Sequence, residues 1–366
     1  MVKRSAPFLL FSVGFLLALG VVMLISTCAF SNDAPEDNIY QDAKKQVIWL
    51  SLGVLVCAGA ASVDYHWLQK KAWWIFSFVV FCLVLCYVPG IGTEVNGETR
   101  WISAKLIGMP GLRVQPSEMA KITMAIMMAW WFARYPDAGS HPLRGFLLPF
   151  TVGATMILLV LFEKDMGTAA VLSASCFTLL FVAGVRWFYL AGLAAAGTSA
   201  LALMVKFDPN RFNRILAYLD LEENRHGSGF QQWIGLIALG SGGVSGMGLG
   251  EGRLKMHYMP FAHTDFIFPM IGEELGLVFT LLIVFAFVIM AVSGITIAFH
   301  APDTFGRLLG LGLVAFLIFQ AMLNIGVTTA VLPNTGLPLP FISYGGSFLL
   351  TTFVGLGLVC RASYET

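Results

Sequence analysis

A charged side chain inside a membrane span costs about 2.5–3.5 kcal/mol even on the lenient insertion scale, so ionisable groups within apolar sequence are candidates for chemistry. The 366-residue chain has several. Glu118 and Lys121, in the segment QPSEMAK at 115–121, are three residues apart near the start of an apolar run. A helix would set them on one face, where they can pair. Such a pair could lock two helices or serve a substrate. Glu163, Lys164 and Asp165 form a charged turn between two apolar runs, and Asp165 is placed to cap the helix that follows. His263-Thr264-Asp265 stands at the mouth of another run. A carboxylate there is partly desolvated, which raises its pKa and suits a base or proton acceptor. A lone Asp at such a junction is equally an ordinary N-cap. Glu273 and Glu274 lie about 12 Å deeper on the same helix. They read as packing or pairing groups, not as half of a two-carboxylate glycosidase pair.

Cations cluster in two long loops, at about 92–115 and 206–265. Arg100, Arg211, Arg214, Arg253 and Lys255 are the notable ones. They are either solvated loop charge or an anion site. Within the second loop, residues 231–239 (QQWIGLIAL) predict a short interfacial helix with Trp233 at headgroup depth. The glycine-rich stretch 240–252 follows no strand and lacks GxxxxGK[ST], so it is read as a mobile hinge and not a phosphate loop. Residues 333–340 (PNTGLPLP) are too proline-rich for a helix, and 341–347, with Ser343, re-enter the membrane. Gln320 and Asn324, one turn apart, add polar groups facing the interior. The cysteines have no CxxC or Cys/His spacing, which argues against a zinc site.

The elements that position these groups are membrane helices. Hydrophobic residues make up 57% and charged residues 12% of the chain, too little charge to wet a soluble globule. Ten apolar runs are long enough to span: 8–30, 46–63, 72–91, 116–132, 146–162, 166–185, 188–205, 266–295, 308–331 and 345–360. The reading is an all-α, polytopic integral membrane protein: one domain over 1–366, about ten transmembrane helices, and a large extracytoplasmic loop between helices 7 and 8. Lys3 and Arg4 before the first run, with acidic residues after it, predict a cytoplasmic N-terminus, and ten spans return the C-terminus to the same side of a bacterial inner membrane; the basic residues of the outer loops keep a positive-inside count from settling the topology. The net charge of +1 carries no nucleic-acid signal.

Five segments occur in a familiar order: Gly97-Glu98-Thr99-Arg100-Trp101-Ile102, QPSEMAK, Asp165-Met166-Gly167-Thr168, Ala262-His263-Thr264-Asp265-Phe266-Ile267-Phe268, and 339–347 (LPFISYGGS). In this the chain resembles the SEDS family (shape, elongation, division and sporulation proteins), and Gly246-Met247-Gly248-Leu249-Gly250 and Ile271-Gly272-Glu273-Glu274-Leu275-Gly276 look more like its division branch, FtsW, than its elongation branch, RodA. Two positions depart from the family pattern: Phe261 replaces a usual Glu, and Lys164 a usual Pro. The resemblance implies a ten-helix peptidoglycan glycosyltransferase that polymerises lipid II on the outer face, with inversion at C1. It raises Asp265 to the leading catalytic residue. It makes Arg100, Glu118, Lys121, Asp165, Arg211, Arg214, Arg253, Lys255, His263 and Ser343 candidates for binding substrate. A divalent cation, magnesium or manganese, could assist. The implied partner is a class B penicillin-binding protein transpeptidase, alongside other division or elongation proteins. The other functions considered are a lipid II flippase and a scaffold that recruits a transpeptidase.

Overall fold

The computed structural model describes residues 2–28, 41–95, 98–103, 113–136, 141–256, 258–260 and 262–364. Each of the ten apolar runs is occupied by a helix: α1 (Val2–Cys28), α2 (Gln41–Ser62), α3 (Tyr65–Leu85), α4 (Pro116–Arg134), α5 (Leu148–Phe162), α6 (Met166–Val182), α7 (Trp187–Phe207), α10 (Ile267–Phe299), α11 (Thr304–Thr328) and α12 (Gly346–Tyr364). Among the described residues, seven helices are long and apolar enough to cross a membrane, and Met166–Val182 and Gly346–Ala362 are shorter apolar helices. The chain is a multi-pass membrane protein.

Helix ends follow local chemistry. Pro116 occupies the first turn of α4, where its missing N–H is no loss. Asp165 and Asp303 cap α6 and α11, accepting from Thr168 N and Gly306 N. α3 starts earlier than the predicted 72–91, because Asp64 caps it through His66 N. α11 is the axis of the bundle and packs on α4, α6, α10 and α12. Gly310 and Gly312 let it approach Ala298 and Ala125 closely.

Three features correct the sequence reading. First, the all-α class holds, but the loop at about 92–115 carries a small sheet that the sequence reading did not include. β1 (Gly92–Val95), β2 (Glu98–Ser103) and β3 (Arg113–Val114) form an antiparallel sheet in order β1-β2-β3. Asn96-Gly97, between β1 and β2, is the strongest short hairpin signal and could have revealed it. Second, the long loop carries α8 (Pro209–Leu219) as well as α9 (Phe230–Gly242). Asp208-Pro209 is a usable helix-start signal for α8. The helix expected at 231–239 exists as α9, and it buries Gln232, Ile234 and Ala238 against the bundle.

Third, the glycine-rich stretch is pinned, not a free hinge. Met247 N and Gly248 N donate to the carbonyls of Glu273 and Glu274, at 2.9 and 3.0 Å, and Leu277 N donates to Gly243 O at 3.0 Å. This strand-like contact breaks α10 at Gly276 (φ 77°). A Cβ at Gly246 or Gly276 would collide with the opposite backbone, so the close approach requires glycine on both sides.

Candidate active site

Asp265 lies half-buried in the turn just before α10. Phe266, not Asp265, holds the N-cap position of that helix, and no side chain caps it. The Asp265 carboxylate accepts from the Thr264 hydroxyl at 2.9 Å, and none of the hydrogen bonds it receives comes from an N–H of α10. The capping alternative is therefore excluded, and the group stands ready for other chemistry. Burial pushes its carboxyl above the ordinary carboxylate range, with the Thr264 hydroxyl pulling back.

The segment 333–343 forms the wall beside it. Gly336 sits next to the carboxylate: a Cβ there would lie 3.8 Å from Asp265 Oδ2. Asn324 on α11 donates to Asp265 O (2.7 Å) and to Leu337 O (2.6 Å). Gln320, one turn away, donates to Pro338 O at 2.9 Å. From α9, Gln231 accepts from Asn334 at 2.8 Å. At the start of α6, Gly167 packs on Leu337 and Thr335. The wall thus joins α6, α9 and α11 to the Asp265 turn.

Asp165 belongs to this neighbourhood through α6. It is buried and accepts from Thr168 N, Thr168 Oγ1 and Gln115 Nε2, at 2.9, 2.9 and 3.2 Å. Its two oxygens are thereby committed to the cap and to the start of α4. Arg100 projects from β2, donates to Lys164 O at 2.8 Å and stands 3.9 Å from Asp165. Lys164 adopts φ 64°, which proline cannot, so the departure from the family pattern here comes with a different turn. Arg214 on α8 and Arg253 are exposed. Arg211 lies in α8, and its side chain is outside the described residues, as is Phe261.

Several candidate binders have structural duties instead. Lys255 is buried, its Nζ 2.6 Å from Glu274 Oε1 and 2.7 Å from Ser26 Oγ. It is removed from the anion clamp, because its charge is spent inside the protein. Glu273 and Glu274 are pairing groups as expected: Glu273 accepts from Arg253 N and Leu254 N, and Glu274 from Gly250 N. Ser343 is fully buried; its hydroxyl donates to Thr264 O and accepts from Leu339 N. It braces the turn and does not present itself to a substrate. His263 is half-buried with its ring 5.6 Å edge-on from that of Tyr344, whose N–H donates to His263 O at 3.0 Å.

Glu118 and Lys121 pair as their spacing predicts. Lys121 Nζ donates to both Glu118 oxygens at 2.8 Å and to Gln320 Oε1 at 2.7 Å. All three ammonium hydrogens are thus engaged, leaving none for a diphosphate. Among the described residues, no group of three or more His, Cys, Asp or Glu side chains is placed to hold a metal ion.

Two grooves flank α2. One of about 510 Å³ lies between α1 and α2, lined by Leu24, Ile25, Lys44 and Gln46 among others. A larger one of about 770 Å³ runs from Trp67 and Lys71 to Gln115 and Ser347, between α2, α3, α4 and α12. Gln115, at its upper end, is the residue that reaches Asp165.

The family model FtsW/RodA/SpoVE, described as a cell cycle protein, matches residues 7–366. Stage V sporulation protein E of Bacillus subtilis is 34% identical, over 99% of this chain and 98% of the relative. The probable peptidoglycan glycosyltransferase FtsW of Geobacter metallireducens is 36% identical, over 94% of this chain and 90% of the relative. Among solved structures, a chain from a peptidoglycan synthase complex that coordinates polymerization and crosslinking superposes with TM-score 0.80, at 28% identity, covering 98% of this chain and 97% of that one. Thermus thermophilus rod shape determining protein RodA superposes with TM-score 0.69, at 26% identity, covering 98% and 96%. By sequence along almost its whole length, and by fold, this chain belongs to the FtsW/RodA/SpoVE family of cell cycle proteins, the SEDS family whose motifs it carries.

Proposed function

We propose that this protein is a peptidoglycan glycosyltransferase that polymerises lipid II on the extracytoplasmic face of the bacterial cytoplasmic membrane. The observation that carries the proposal is the Asp265 carboxylate: half-buried, raised in pKa, free of capping duty, and held beside the wall 333–343. The family's relatives and its solved members support the same reaction class.

Chain growth joins the 4-hydroxyl of an acceptor sugar to C1 of a donor muramyl sugar. Asp265 takes the hydroxyl proton as the new C–O bond forms. The bond from C1 to the diphosphate breaks, and its electron pair leaves on undecaprenyl diphosphate. Attack opposite the leaving group turns an α-linked donor into a β-linked glycan. The clamp for the diphosphate is drawn from Arg100, Arg214 and Arg253. The apolar groove ending at Gln115 suits the polyprenyl tail. The described residues form no carboxylate cage for magnesium or manganese, so no step is assigned to one.

The orientation proposed is that the end of the bundle opposite Asp265, with Lys70, Lys71, Arg134, Arg186, Arg307 and Arg361, faces the cytoplasm; the short loops at that end support it, although the long outer loops are basic too. A cysteine replacing Arg225 should react with an impermeant thiol reagent from outside, and one replacing Lys70 only after permeabilisation. The reverse pattern would discard the mechanism. The partner proposed is a class B penicillin-binding protein, since one structural neighbour comes from a complex that couples polymerization to crosslinking.

The decisive experiment is Asp265→Asn, tested with purified lipid II and the partner. Loss of a general base costs roughly 10²–10⁴-fold in rate. The variant should remain folded. Glycan synthesis close to that of the parent would reject Asp265 as the base.

A further inference from the structure

We infer that Asn324 is a positioning residue for polymerisation: from α11 it fixes the backbone that aims Asp265. The inference rests on the proposed polymerase activity and adds a residue to which that proposal gives no role.

Asn324 is 2% exposed, and both hydrogens of its carboxamide go to main-chain carbonyls. One is Asp265 O (2.7 Å) and the other Leu337 O (2.6 Å). Its own oxygen Oδ1 is buried and accepts nothing. That unsatisfied oxygen is a cost, set against the two buried carbonyls that would stand bare without the carboxamide. What asparagine supplies is a two-pronged donor that bridges two segments far apart in sequence.

The second pin acts on the other side of the same residue. Ser343 donates to Thr264 O while accepting from Leu339 N at 2.8 Å. The carbonyls of Thr264 and Asp265 belong to the two peptide planes that flank the Asp265 Cα. With both planes held, by Ser343 and by Asn324, the direction of the Asp265 Cα–Cβ bond is set. Both pins also grip the wall, at Leu337 and at Leu339. The carboxylate is therefore aimed relative to that wall, not merely kept inside the protein. Gln320 carries the arrangement one turn further, holding Pro338 O at 2.9 Å while it accepts from Lys121.

Misaiming a catalytic group by about 1 Å can cost on the order of 100-fold in rate. The test compares Asn324→Leu and Asn324→Ala with the parent in detergent, with lipid II and the partner. Leucine fills the site but leaves both carbonyls without a donor. Alanine leaves a polar space where water can donate to both. A positioning role predicts opposite rankings: Asn324→Leu melts higher than Asn324→Ala but polymerises more slowly. Its kcat should fall on the order of 10- to 100-fold while KM stays close to the parent's. Thr296→Val, near the far end of α10, where the exposed hydroxyl bonds only back to Val292 O, should polymerise like the parent. If rates merely follow melting temperature, or if Asn324→Leu keeps the parent's kcat, the inference is overturned. If Asn324→Leu is not recovered folded, Asn324→Met decides, since a thioether fills much of the site and cannot donate, and parental kcat there overturns the inference equally. A parent that makes no glycan would instead refute the polymerase reading itself.

Discussion

Lys121 is 2% exposed and Lys255 is 3% exposed, and each neutralises a buried glutamate. Lys121 finds Glu118 on its own helix, three residues away, and spends its remaining donor on Gln320. Gln320 in turn holds the wall beside Asp265. Lys255 comes from the long loop, meets Glu274 on α10, and shares Ser26 on α1 with it. The first is a local pair with a branch to the site. The second is a knot between three distant elements. Two chemically similar pairs thus serve different ends, one near the reaction and one in the assembly of the bundle.

Breaking the knot should have the larger effect. Removing one partner of a buried pair leaves a bare charge and costs roughly 3–5 kcal/mol. Lys255→Met strands Glu274, and Glu274→Gln strands Lys255 and weakens the hold on Gly250 N. Each single variant should melt well below the parent in detergent, and the double variant should recover much of the loss. Parental melting of Lys255→Met would show that the knot carries no stability.

The Glu118–Lys121 pair sharpens the contrast through activity. Glu118→Gln or Lys121→Met should lose stability near the lower end of that range, roughly 3 kcal/mol, because α4 itself persists. The double variant should regain the melting temperature but polymerise more slowly, on the order of 10-fold. Without the ammonium, Gln320 loses the donor that orients it toward Pro338. A double variant with parental melting and parental rate would reduce the pair to a helix lock.

The same contrast explains what the sequence made legible. Among the described residues, a helix lies at each of the ten apolar runs, because span length and hydropathy are local properties. The Glu118–Lys121 pair was readable because three residues on a helix is a geometric statement. The partner of Lys255 was not readable, since the glycine-rich stretch carries no period that could place it beside α10. The break at Gly276 was hidden for the same reason: its cause is a neighbouring backbone, not proline. Whether Asp265 caps its helix depends on which residue takes the N-cap position at the junction, and only the fold gives it to Phe266. Asn324 was visible as an interior polar group, but its role depends on two carbonyls supplied by remote turns. The sheet is a different kind of miss, since Asn96-Gly97 announced it.

Glu163 marks a third kind of buried charge, one without a lysine, and predicts the smallest effect on polymerisation, its signature lying in the pH dependence of stability. It lies in the turn between α5 and α6, 1% exposed, with the Cys86 thiol beside it. Burial, and then the charge of Asp165, push its carboxyl from 4.5 up to about 8, against the pull of the Cys86 thiol and then of Arg100. A folded-state value above the unfolded one gives stability that is complete below about pH 4.5 and is lost as pH rises to about 8. The unfolded chain ionises across that window while the folded one resists. The slope is at most about 1.4 kcal/mol per pH unit, reduced where water reaches the turn. Glu163→Gln is neutral at every pH and removes the slope. Its melting temperature should match the parent's at the acid end, rise above it through the window, and hold a constant lead at more alkaline pH. Because an amide replaces a carboxyl that is already mostly protonated at pH 7, polymerisation there should change little. Melting curves that stay parallel across the window would mean that Glu163 ionises as easily in the fold as in the open chain, and that its partner is the solvent.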